Sequence, residues 1–146
     1  MRLWHYELLP YLPELQFKGQ LRELAAIMKD LKYKKQTNHI LINKVMEYPN
    51  TQLTKYYIIY RDEYFKRYGK VINENYSAEF MRFAPTAVYW GEHIFEGWHT
   101  KEYLRSNMAN LWEKHTMGVG KSRITDEEWE TLLRGYKELT GEDYVI

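Results

Sequence analysis

Phe17, Leu21, Leu24, Met28 and Leu31 recur at steps of four, three, four and three. No other feature limits the fold of this 146-residue chain as strongly. Such spacing returns side chains to one side of a 3.6-residue turn, so it predicts an amphipathic helix over residues 14–33 with one face committed to a core. On the same wheel Lys18, Arg22 and Lys29 share one flank, and Gln16, Gln20, Glu23 and Ile27 share the other. Arg22 and Glu23 therefore border the stripe from opposite sides, outside the core.

The basic stretch KYKKQT reads as a loop, and residues 38–48 as a short helix. Pro49-Asn50-Thr51 then supplies a break and a fresh N-cap. A second stripe, Leu53, Tyr57, Tyr60 and Tyr64, predicts a long helix ending near Gly69. Residues 71–98 are weakly periodic, with a short helix expected over 77–83 and loop elsewhere. Thr100 caps a helix through His115, which MGVGKS ends; Thr125-Asp126-Glu127-Glu128 is a capping box for a last helix through Leu139, closed by Gly141. No stretch alternates as a strand. The expectation is an all-α fold, a single helical domain over residues 1–146, with about five to six helices around an aromatic-rich core.

The 16% aromatic content, with 14 Tyr and 5 Trp, suits a core, a base-stacking surface or an interface equally well. The absence of Cys removes disulfides, thiolate catalysis and thiolate metal sites. His5, Glu7, Pro10 and Pro13 interrupt the opening MRLWHYELLPYLPEL, so neither a secretion signal nor a membrane span fits, and a cytoplasmic location is expected. The net charge of +1 hides an asymmetry. Residues 1–44 hold eight basic and four acidic residues, whereas residues 125–146 hold two and seven. An anionic partner would meet the first third.

Two patterns fall short of a site. GVGKS, residues 118–122, resembles the end of a phosphate loop, but His115 stands where that pattern needs Gly and a helix precedes it; the end of a helix is the plainer reading. His93, Glu96 and His99, with Glu92, match no standard zinc spacing. Tyr89, Trp90 and Trp98 read as core or rim aromatics.

Met1-Arg2-Leu3-Trp4-His5, Leu12-Pro13, Gly19-Gln20 and Arg22-Glu23-Leu24 carry a family likeness in their order and spacing. It continues more loosely through ILINKVMEYPNTQLTKYY, YFKRYGKVI and HTKEYLRSNMANLWEK, and covers residues 1–72 and 99–114. On these residues the chain resembles the pyrimidine dimer DNA glycosylase family of the endonuclease V type, in particular a bacterial branch opening with MRLWH.

The resemblance implies repair of damaged double-stranded DNA, pyrimidine dimers or abasic sites, by an N-terminal amine that displaces the base and leaves an imine, followed by lyase cleavage. A Glu on the first long helix supports the imine and removes a sugar proton. Carried onto this chain, the catalytic pair is the α-amine of Met1 with Glu23, since the bulky Arg2 normally blocks removal of the preceding Met. Arg2, Lys18, Arg22, Lys29, Lys34 and Lys35 are the DNA-binding residues. No cofactor and no metal is implied. Ala26 stands where the family has a second Arg, and the chain ends in the acidic TGEDYVI in place of a basic aromatic tail. Two other classes fit the charge pattern: a non-catalytic helical module that binds nucleic acid or protein, and an interaction protein with a tyrosine seam on its second long helix.

Overall fold

The computed structural model describes residues 2–32, 40–83, 89 and 91–146. All regular structure among them is helical, as the patterning requires, and none of these helices is long and apolar enough to cross a membrane. The helices are α1 (Glu14–Lys32), α2 (Ile40–Met46), α3 (Asn50–Tyr68), α4 (Glu74–Phe83), α5 (Lys101–Thr116) and α6 (Asp126–Thr140). Two short 3-10 turns, Tyr6–Tyr11 and Gly120–Ser122, add to them. The first of these has no helical stripe in the sequence; it is started by the His5 side chain, which accepts the Glu7 N–H.

The chain forms two compact units. The first comprises Lys18–Phe95 together with the start of the chain through Leu3. Its core takes Leu21, Leu24, Ile27 and Met28 from α1, Ile42 and Val45 from α2, and Leu53, Tyr56, Tyr57 and Tyr60 from α3, all buried. Tyr57 stacks on Phe80 of α4 with ring centroids 3.8 Å apart. The tyrosine stripe of α3 is therefore largely consumed inside the unit, with Tyr57 and Tyr60 buried and Tyr64 half-buried. The cap of α3 differs from expectation. Pro49 occupies the N-cap and has no polar side chain to offer, while Asn50 and Thr51 lie inside the first turn. At its other end Gly69 adopts φ 64°, a left-handed conformation that costs glycine little and lets its N–H return to Phe65 O.

The second unit comprises Trp4–Phe17 and Glu96–Ile146. Here α5 and α6 bury Leu104, Met108 and Leu111 against the solvent, together with Trp129, Leu132 and Tyr136. Thr100 accepts the Tyr103 N–H at the start of α5, and Thr125 and Glu128 form a reciprocal capping box on α6. Tyr11 of the first 3-10 turn lies on α6 where Gly135 leaves room; a Cβ at that glycine would meet the ring at 2.4 Å. The Tyr11 hydroxyl donates to Glu138 on the same helix at 2.6 Å. GVGKS follows α5 as the short Gly120–Ser122 turn, with no strand before it.

Candidate active site on helix α1

The buried face of α1 is wider than its apolar stripe. Gln20 and Ile27, on the flank beside the stripe, are both 0% exposed. A buried glutamine is costly unless both ends of its amide are paired, and here both are. Gln20 Nε2 donates to the backbone carbonyl of Arg2 at 2.9 Å, and Gln20 Oε1 accepts from the Tyr56 hydroxyl at 3.2 Å.

One turn further along the same flank, the Glu23 carboxylate accepts the backbone N–H of Arg2 through Oε2 at 2.8 Å. Both main-chain polar groups of Arg2 are thus held by α1. Leu3, fully buried, anchors the next residue. Glu23 itself is half-buried, at the edge of the core.

Lys18, Arg22 and Lys29 are exposed along the other flank of α1, as helical spacing requires. Lys18 Nζ sits 5.5 Å from the centre of the Tyr68 ring, a cation held over an aromatic face. Beside Lys29 an open cleft of about 550 Å³ is lined by Ala25, Ala26, Lys29, Asn73, Asn75 and Tyr76. The side chain of Ala26 is too short to fill the space that a longer residue there would occupy. The structure therefore brings Arg2, Glu23 and Gln20 together and sets three cations on the same helix. Met1, Lys34 and Lys35 lie outside the described residues. Gln20 carries no functional expectation in the sequence; its one signal is an amide at a helical position that packing turns inward.

The second unit holds a different buried polar cluster. Asn107 accepts the His5 N–H at 2.8 Å, and His99 Nδ1 accepts the Tyr6 N–H at 3.1 Å. The His5 and His99 rings stack 5.2 Å apart, and Tyr103 stacks 5.0 Å from His99. Burial pushes His5 down to about 4, although a hydrogen bond with the His99 backbone opposes it. Burial, reinforced by His5, pushes His99 down to about 2. Both imidazoles are neutral acceptors serving the main chain. Among the described residues no three His, Asp or Glu converge on a point that would hold a metal ion.

Comparison with known families adds one match. The family described as pyrimidine dimer DNA glycosylase matches residues 1–77, just over half of the chain and all of the α1 constellation. The match stops short of α5, so the likeness noted over residues 99–114 is not part of it. No curated protein and no solved structure gives a match.

Proposed function

The chain belongs to the pyrimidine dimer DNA glycosylase family, whose class of activity is repair of damaged DNA, and from that premise we propose that it is a glycosylase with an associated abasic-site lyase activity. The observation that carries this reading is the 2.8 Å hydrogen bond from the Arg2 N–H to Glu23. It lays the beginning of the polypeptide against an acid on the first helix. The reading requires the α-amine of Met1 to work beside that carboxylate.

An α-amine suits this position. Its ordinary pKa of about 7.7–8.0 leaves a neutral, nucleophilic fraction near pH 7, which a lysine at about 10.4 does not. The amine lone pair attacks the sugar C1′, the glycosidic bond breaks, and the base departs with the bonding pair and takes up a proton. The remaining amine proton passes to O4′ as the C1′–O4′ bond breaks, and the sugar ring opens to leave an imine. Glu23, held on the edge of the core, accepts the C2′ proton, and the electrons expel the 3′ phosphate. Lys18, Arg22 and Lys29, with Arg2, Lys34 and Lys35, hold the DNA backbone. Their binding energy offsets the few kcal/mol needed to unstack a damaged nucleotide.

Borohydride reduction during incubation with a duplex carrying an abasic site or a cyclobutane dimer tests this. The expected result is a covalent adduct whose tryptic fragment carries the DNA remnant on the terminal residue, lost when that amine is acetylated. Binding to the same duplex with no adduct at any pH from 6 to 9 would refute the lyase reading and leave a binding module.

A further inference from the structure

We propose that Gln20 is a positioning residue for this reaction, with Tyr56 orienting its amide. The inference rests on the imine reading above, and it concerns what keeps the start of the chain in register with Glu23. Gln20 and Glu23 are three residues apart on one flank of α1, and they grip the two polar groups of a single residue.

The orientation of the Gln20 amide follows from chemistry. The Arg2 carbonyl can only accept, so the NH₂ end of Gln20 must face it. That leaves Oε1 toward Tyr56, whose hydroxyl is able to donate and whose ring is 0% exposed. A leucine or methionine would fill the Gln20 site without burying an amide. Either would, however, take away the donor to the Arg2 carbonyl and the acceptor of the Tyr56 hydroxyl, so the glutamine also serves the fold, and its positioning role is read from rate and amide exchange rather than from stability.

Holding Arg2 at both its N–H and its C=O restricts rotation on either side of it. Without Gln20, the Arg2 carbonyl loses the bond that sets it against α1, and the hydrogen bond from the Arg2 N–H to Glu23 loses its companion on the same residue. A displacement of roughly 1 Å between reacting groups costs on the order of 10²-fold in rate.

Gln20→Met keeps the length and removes the donor; Tyr56→Phe keeps the donor and frees its orientation. The expected result for Gln20→Met is adduct formation slowed about 10- to 100-fold at saturating abasic duplex, with DNA affinity unchanged within about twofold and the unfolding temperature lowered by only several degrees. Tyr56→Phe should slow it less, by about threefold. Hydrogen exchange of the Arg2 amide, measured without DNA, should accelerate at least about tenfold in Gln20→Met. Adduct formation at the parent rate in Gln20→Met would overturn the proposal and leave the glycosylase reading intact. If the unaltered protein forms no adduct, the lyase reading falls first. Unchanged Arg2 exchange in Gln20→Met would then dispose of the positioning role as well.

Discussion

Two regions of this molecule tie main-chain amides near the start of the chain to side chains further along it, and they do so with opposite chemistry. In the first unit Arg2 is held by a half-buried carboxylate and a glutamine on α1, with exposed cations along the other flank of that helix. In the second, His5 and Tyr6 are held by Asn107 and His99, which are 1% and 8% exposed and surrounded by rings. Under the proposed function the half-buried carboxylate serves the reaction, whereas the buried neutral acceptors serve the fold.

The hardest test of that contrast is Glu23→Gln, which should lower cleavage of an abasic duplex by about 100-fold or more in single-turnover assays while leaving the thermal midpoint nearly unchanged. Loss of folding with retention of the residual rate would invert the assignment.

Acidification probes the second region. Its histidines titrate lower folded than unfolded, so the unfolded chain binds their protons first. Stability is complete above pH 6.5 and falls as pH drops toward 4 for His5 and toward 2 for His99. Between pH 6.5 and 5 the two together cost about 3 kcal/mol, visible as a lower urea midpoint. The double variant His5→Gln/His99→Gln should flatten that slope, and an unaltered slope would assign acid sensitivity elsewhere.

Asn107→Ala strands the buried His5 N–H and should cost about 1–3 kcal/mol, or several degrees of unfolding temperature, with the saturated cleavage rate intact. A matching fall in that rate would show that the second region also shapes the chemistry. Lys29→Ala should have the smallest effect: weaker binding to all duplexes and a salt slope reduced by about one. Sequence-selective loss of binding would instead place Lys29 at a base.

Helical periodicity made the fold legible. Phe17 through Leu31 and Leu53 through Tyr64 define faces that packing must bury, and Thr100, Thr125, Gly69 and Gly141 act locally at helix ends where the structure has them. The start of α3 was less legible, because Pro49 stops one helix and starts another without a side-chain bond. At the candidate site, Glu23 and the flank of Lys18, Arg22 and Lys29 follow from spacing and resemblance. Gln20 does not, because its partners are the carbonyl of Arg2 and a hydroxyl 36 residues away on α3. The His5 to Asn107 cluster was equally hidden: a histidine in an opening segment gives no hint of which helix will receive it.

The bonds on Arg2 join residues 18 and 21 apart, whereas those on His5 and Tyr6 join residues 102 and 93 apart. During synthesis, at about 5–20 residues per second, the partners of Arg2 leave the ribosome almost with it. His5 must wait for α5. For several seconds its amide stays hydrated and unclaimed, so neighbours in the nascent polypeptide mature on two different clocks, and the later one sets when the second core can close.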